Sequence, residues 1–266
     1  MELKDRRVLI TGASRGIGAE LARQFAGAGA RVALVARSAE ALLALADEVG
    51  GTAHAADLGD PAQVAGLIGR VEDDGGPVDV LVNNAGIDGM GYFPEMAPEE
   101  LEQLLRVNLL SPMDLCRQVV PRMLARGSGH IVNVSSLSGV AAFPGLTAYS
   151  ASKAGISNFT AGLRADLRGL PVGTTLVEMG KVVPTDMSSG VNDYTPVGLS
   201  FRRFERLGLL ADVPVARLAA AVVTAVRGNR RHVRLPHRAG AFSALVELPR
   251  RATELLLTGV SHREKA

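Results

Sequence analysis

The sequence predicts an α/β fold: a doubly wound, mostly parallel sheet of seven strands with helices on both faces. Three observations carry this. Apolar runs of strand length alternate with longer segments of helical period along most of the chain. Strand candidates such as Val78-Asp-Val-Leu-Val82 and Ile131-Val-Asn-Val134 are almost continuously apolar, as burial on both faces requires. The 266 residues, 47% apolar and 21% charged, can fill one large core and lack the composition of a disordered chain.

Strands are expected at about 7–11, 31–36, 52–56, 78–82, 130–134, 174–178 and 232–235. Helices fill the gaps at about 16–28, 39–48, 61–72, 98–109, 111–126, 149–168 and 213–227, and a further helical segment ends near Thr258. Gly127 and Gly228 follow helix ends, where a left-handed residue costs least. With no linker or internal repeat, residues 1–266 read as a single domain. Residues 184–212, carrying Pro184, Gly190, Pro196 and Gly198, interrupt the alternation and read as a long substrate loop.

Charge excludes some functions. A formal net charge of +2 gives no general argument for nucleic acid as a partner. The few apolar residues after Met1–Arg7 fall short of an export signal, and no apolar run could span a bilayer, so the cytoplasm is the expected address. The single cysteine, Cys116, reads as a small buried hydrophobe on a helix. No metal site is expected.

The first strand runs into Thr11-Gly-Ala-Ser-Arg-Gly-Ile-Gly18 and then a helix. Gly12 permits a sharp turn, Gly16 close backbone approach, and Gly18 close helix packing, leaving free N–H groups and a positive helix end for a pyrophosphate. The dinucleotide-binding set here is Gly12, Ser14, Arg15, Gly16, Ile17 and Gly18. No acid stands at the tip of the second strand, where a ribose 2′-hydroxyl would be held; Arg37 stands there instead. With Arg15 it can bind a 2′-phosphate, which favours NADP(H) over NAD(H). Asp57, after the third strand, is a candidate for the adenine amino group and Leu58 for the ring face.

Tyr149 and Lys153 lie one helical turn apart on one face. An ammonium near a phenol favours the phenolate, so the Tyr149 pKa is expected to fall from near 10 toward a range useful for proton transfer. Ser136, at the end of the fifth strand, can hold a substrate oxygen.

The order and spacing of Thr11-Gly-x3-Gly-Ile-Gly18, Asn83-Asn-Ala-Gly86, Asn108, Ser136 and Tyr149-Ser-Ala-Ser-Lys153 resemble the short-chain dehydrogenase/reductase family in its shorter single-domain form, over roughly residues 5–235. The resemblance implies a Rossmann-type fold and nicotinamide-dependent interconversion of carbonyl and secondary alcohol. It places Asn108, Ser136, Tyr149 and Lys153 in the catalytic group, with Tyr149 as general acid/base. It gives Lys153 a hold on the ribose hydroxyls and Asn108 a water in a proton relay. Asn83 would stabilise the central sheet; Asn84, Ala85 and Gly86 would flank the cofactor, which Tyr149 and Lys153 also touch. After the sixth strand the family's usual Pro-Gly is Met179-Gly180 here, so Gly180 matches while Val182 and Thr185 are assigned to the cofactor across a one-residue displacement. Homodimers or homotetramers are common in that family.

The substrate wall is expected from 87–96, 137–146 and 184–205, with Met90, Tyr92, Phe93, Leu137, Phe143, Met187, Val191, Tyr194, Leu199, Phe201 and Phe204. That lining suits an apolar carbonyl or alcohol: a lipid, steroid-like or acyl compound. Residues 237–258 combine Arg238, Arg250 and Arg251 with a row of leucines, a basic amphipathic segment. It is read as subunit packing or cover of the cleft, with peripheral contact at the inner face of a membrane as the other reading. Two other functions compete with the oxidoreductase: a catalytically silent NADP(H)-binding sensor or scaffold, and a nucleotide-sugar epimerase. The intact Ser136, Tyr149 and Lys153 disfavour the first; chain length and the glycine spacing disfavour the second.

Overall fold

The computed structural model describes residues 1–141, 143–189, 194–208, 210–239 and 248. Seven parallel strands form the main sheet: β1 (Arg7–Thr11), β2 (Arg31–Ala36), β3 (Thr52–Ala55), β4 (Val80–Asn83), β5 (Gly129–Val134), β6 (Val172–Met179) and β7 (His232–Leu235), in the order β3-β2-β1-β4-β5-β6-β7. Helices α1 (Gly16–Gly27), α2 (Ala39–Val49), α3 (Pro61–Val64), α4 (Leu67–Gly75), α5 (Pro98–Leu105), α6 (Ser111–Arg126) and α7 (Thr147–Asp166) connect the first six strands. Then come α8 (Asp186–Ser189), α9 (Thr195–Arg206) and α10 (Val215–Arg227), with a two-residue strand pair, Val182–Val183 against Val213–Pro214.

Alternation along β1 shows why both faces are covered. Val8 and Ile10 pack with Leu21 and Phe25 of α1 and Val222 of α10, whereas Leu9 joins Ile68 and Val71 of α4 and Leu115, Val119 and Met123 of α6. The Cys116 thiol is sealed in that second layer, and burial pushes its pKa up to about 12. The strand order reverses between β1 and β4, the place in such sheets where loops diverge and a crevice opens at the carboxyl ends.

Four expectations need correction. Residues 184–212 are not one long loop but carry α8 and α9. Pro196 falls in the first turn of α9, where its missing N–H is harmless, and Val197, Phe201 and Phe204 turn one apolar face inward. The helix over 61–72 is two, α3 and α4, broken where Gly66 adopts a φ of 68°. The helices at 98–109 and 111–126 run together through a π-helical turn, Arg106–Leu110; Pro112 has no N–H to offer the Asn108 carbonyl, and a wider turn carries the helix past it. Gly127 is left-handed with φ 72°, but Gly228 is not: Asn229, with φ 46°, takes that conformation after α10. Of the 237–258 segment, His237–Ala239 forms a 3-10 turn; the remainder, Leu248 excepted, lies outside the described residues, as does the segment ending near Thr258. Among the described residues no helix is long and apolar enough to cross a membrane.

Candidate active site

The turn from β1 into α1 has no room for a side chain at Gly12 or Gly18. Gly12 and Gly16 have φ of 64° and 54°. A Cβ on Gly12 would lie 2.8 Å from the Ala85 Cα, and one on Gly18 2.1 Å from the Gly12 carbonyl oxygen. Asn84 ties this turn to the end of β4, its Nδ2 donating to the Thr11 carbonyl at 3.0 Å and the Gly12 carbonyl at 3.3 Å. Thr11 Oγ1 accepts the backbone N–H groups of Asn84 and Ala85, both at 3.1 Å.

This turn forms one end of a cleft of about 910 Å³ along the carboxyl edge of the sheet. Gly12, Ser14, Arg15, Gly16, Ile17, Gly18, Arg37, Asp57, Leu58, Asn84, Ala85, Gly86, Ser136, Tyr149, Lys153, Gly180, Val182 and Thr185 all line it. Of the assigned residues, Asn108 alone stands behind the wall. Arg37 and Ser38 follow β2, and no carboxylate occupies that strand tip. Asp57 closes a local turn, Oδ1 accepting the Gly59 N–H at 2.8 Å, and Leu58 is also a core residue. Thr185 reaches the glycine turn despite its displacement: its Cγ2 is 3.7 Å from where a Gly16 Cβ would be. The Thr185 hydroxyl donates to the Val182 carbonyl at 2.9 Å.

At the other end, α7 carries Tyr149 and Lys153 on its buried face, with Ile156 and Thr160 continuing the stripe. Hydroxyl groups pin this face to β5. Ser135 Oγ and Ser157 Oγ both donate to the Lys153 carbonyl at 2.9 Å, and Asn133 Nδ2 donates to Thr160 Oγ1 at 2.9 Å. Lys153 Nζ donates to the Val134 carbonyl at 3.1 Å and sits 5.6 Å from the centre of the Tyr149 ring. Ser136 caps the 3-10 turn Leu137–Gly139, Oγ accepting from Ser138 N at 3.1 Å, and is hydrogen-bonded to Tyr149. Asn108, in the π-helical turn, accepts the Ile87 N–H at 2.9 Å and donates to the Ile87 carbonyl at 2.8 Å and to Ser152 Oγ at 3.1 Å. It therefore joins the exit of β4 to α7. Asn83 does support the sheet, its Nδ2 donating to Asn133 Oδ1 at 2.8 Å.

The expected direction of the Tyr149 shift is reversed. Burial pushes the phenol up to about 12; the hydrogen bond with Ser136 works the other way, and the charge of Asp88 adds to the rise. Burial also brings Lys153 down to about 8. Spacing along a helix brings two groups together, but Tyr149 is only 6% exposed, and desolvation is the largest influence on its phenol. The phenol is thus neutral at pH 7 and able to donate a proton.

Of the apolar wall, Met90, Leu137, Phe143 and Phe201 line the cleft, and Phe143 stacks at 5.5 Å on Phe201 and 5.1 Å on Phe204. Tyr194 packs on the same cluster. Tyr92, Phe93 and Leu199 do not join the lining; they are 60%, 46% and 48% exposed. Val191 and the Met187 side chain lie outside the described residues. Leu146, Val197, Asp88 and Asp186 also line the cleft, inside the expected segments though not among the residues named there, and Leu210 lines it from outside them. For Leu146 and Val197 the signal was their place beside Phe143 and on the apolar face of α9.

The short chain dehydrogenase family pattern matches residues 6–195. The ketoacyl reductase HetN of Nostoc sp. is 40% identical over 191 residues, which are 70% of this chain and 67% of that one. The 3-oxoacyl-[acyl-carrier-protein] reductase FabG of Escherichia coli is 31% identical over 223 residues, 83% of this chain and 87% of its own. The solved structure of a short-chain dehydrogenase from Sphingobium yanoikuyae in complex with NADPH shares a TM-score of 0.76 at 30% identity, covering 98% of each chain. With its parallel sheet, glycine turn and Ser136, Tyr149 and Lys153 gathered in one cleft, the chain belongs to the short-chain dehydrogenase/reductase family, oxidoreductases that act on CH–OH and C=O groups.

Proposed function

We propose that this chain is an NADP(H)-dependent reductase of an apolar carbonyl compound, of the ketoacyl or bulky ketone class, with Tyr149 as proton donor. The observation that carries the reading is the placement of a buried, neutral phenol where the polar and apolar halves of a single cleft meet.

The residues present fit a dinucleotide. Gly12 and Gly18 let the turn lie tight against the end of β4 and against its own backbone, so that its main chain lines the cleft; the start of α1 faces it, and Arg15 and Arg37 stand in the lining beside the tip of β2. Two cations with no acid at that tip suit a 2′-phosphate, and the Sphingobium relative was solved with NADPH. The nicotinamide, when bound, supplies the hydride.

The chain's own groups do the rest. Ser136 would hold the substrate oxygen, Tyr149 would pass it a proton, and Lys153, braced by the Val134 carbonyl, would offer its remaining N–H groups to ribose hydroxyls. Asn108 holds α7 against the β4 exit, so the proton donor and the cofactor floor keep one geometry. Phe143, Phe201 and Leu210 keep water from the reacting carbonyl and bind the substrate's apolar body. HetN and FabG, both named for ketoacyl reduction, support an acyl substrate.

The test is NADPH oxidation with hydrophobic ketones, β-ketoacyl thioesters and small polar sugars, using Tyr149→Phe as control. The proposal requires that the apolar carbonyls lead and that the variant bind NADPH while losing roughly 10²–10⁴ in turnover. Sugars outperforming ketones, or a fully active Tyr149→Phe, would reject it. The same preparation examined by light scattering should behave as a dimer or tetramer.

A further inference from the structure

The wall formed by Ile87, Met90, Phe143, Leu146, Val197 and Phe201 is apolar, and one carboxylate interrupts it. That carboxylate is Asp88, between Ile87 and Met90 in the chain. Its backbone is held on both sides. Ile87 is gripped at its N–H and its carbonyl by the Asn108 carboxamide, at 2.9 and 2.8 Å. Gly89 is packed so closely that a Cβ there would lie 2.4 Å from Leu104 Cδ1. Among the described residues none forms a hydrogen bond or ion pair with the Asp88 side chain.

Of the other charges in the cleft, Arg15, Arg37, Asp57 and Asp186 belong to the glycine-turn end and Lys181 is held by Glu205 at 3.4 Å and Asp212 at 3.1 Å; the Lys153 ammonium, bonded to the neutral Val134 carbonyl, keeps its charge but is the same in the wild type and in an Asp88 variant. The field of Asp88 does reach the reacting end, because it contributes to the upward shift of Tyr149. Asp88 is itself exposed, at the rim of this wall, so a substrate carboxylate close to its carbonyl would meet a solvent-screened negative charge there.

We propose that Asp88 is a charge filter for the substrate, admitting ketones, esters, thioesters and amides while rejecting carbonyl compounds that carry a free carboxylate near the C=O. This rests on the reading of the cleft as a carbonyl-reductase site. The effect of Asp88 on the Tyr149 proton is common to an acid and its ester and cancels in their ratio, whereas its effect on selection does not; an N–H or O–H on the substrate near the carbonyl would be its favourable partner.

The experiment compares matched pairs in the wild type and in Asp88→Asn. For turnover the pair is ethyl benzoylacetate and free benzoylacetate with NADPH. The acid-to-ester ratio of kcat/KM is expected to rise about threefold in the variant at low ionic strength, and less in 0.5 M salt. For binding the pair is 2-naphthamide and 2-naphthoate, measured by calorimetry without turnover. The wild type should prefer the amide and the variant should bind both alike. An unchanged ratio in both pairs, a wild-type preference for the naphthoate, or failure of both probes to bind would overturn the filter. If neither ester nor acid is reduced while the amide preference disappears in Asp88→Asn, the reductase reading fails and the filter stands.

Discussion

Arg15 Nη1 lies 2.7 Å from Asp186 Oδ2, so the residue before α1 and the first residue of α8 meet across the glycine-turn end of the cleft. Both side chains are largely exposed, at 75% and 71%, and such a pair adds little to stability. Its consequence is for ligand binding, because the same guanidinium is a proposed partner of the 2′-phosphate. Asp186→Asn frees Arg15. The dissociation constant for NADPH should fall about three- to tenfold, that for NADH should stay, and the melting temperature should hardly move. Fluorescence titration of both coenzymes checks this; equal changes for the two would count against a role at the 2′-phosphate.

Two glycines of α1 should respond with opposite sign to the same substitution. A Cβ on Gly18 would collide with the Gly12 carbonyl, whereas one on Gly27 meets nothing within 4 Å. Gly18→Ala should cost about 1–3 kcal/mol through overpacking and abolish NADPH binding by displacing the turn. Gly27→Ala should stabilise by about 0.5 kcal/mol through helix propensity and leave binding alone. Urea unfolding with parallel coenzyme titration distinguishes packing from binding at each position.

The shifts at Tyr149 and Lys153 set the pH dependence. Tyr149, raised to about 12, keeps its proton through the neutral range, so the acid needed for reduction is present there. Lys153, lowered to about 8, loses its ammonium first. Reductive kcat/KM should be flat up to about pH 7.5 and decline above about 8, with Lys153 as the group responsible. Alcohol oxidation needs the phenolate and should rise through the same alkaline range. Profiles in both directions check the assignment; a reductive rate still level at pH 10 would remove Lys153 from it.

What could be read from the residues, and what could not, follows the range of the interactions. Strands such as Val80–Asn83 and Gly129–Val134 declared themselves because a strand buried on both faces must be apolar along its length. Tyr149 and Lys153 were legible because helical spacing is local. The Tyr149 shift was not, since burial sums contributions from Phe143, Val197 and Ile87, brought together only by the fold. Pro196 and Gly198 disguised α9 by resembling turn signals, although Val197, Phe201 and Phe204 already had its period. Ser135 and Ser157 gave no sign of themselves, being ordinary polar residues until β5 and α7 pack together. Asp88 was overlooked for the converse reason: it is an exposed loop acid like many others, and only its place on the rim of the apolar end of the cleft sets it apart.

His130 supplies an acid-sensitive element remote from the proton-transfer group. It is 2% exposed on β5, with Nε2 2.8 Å from Thr175 Oγ1. Thr175 spends its hydroxyl proton on the Arg230 carbonyl at 2.7 Å, so Nε2 must be the donor and the neutral ring carries its hydrogen there. Protonation would add a hydrogen at Nδ1, beside Gly173, where even a Cβ would come within 2.5 Å of that nitrogen. Burial first, then the charges of the N-terminus and Arg164, lower the pKa to about 4 from an ordinary 6.5. Between these values the unfolded chain binds the extra proton and the folded chain does not. Stability from this residue is therefore fully present above about pH 6.5 and declines toward pH 4, by on the order of 3 kcal/mol. His130→Asn removes the titrating ring; its own stability is lower at pH 7, but the further loss on acidification should be smaller than in the wild type. Urea midpoints at pH 7 and pH 4.5 for both proteins give the comparison, and equal acid losses would show that His130 is not the group that titrates.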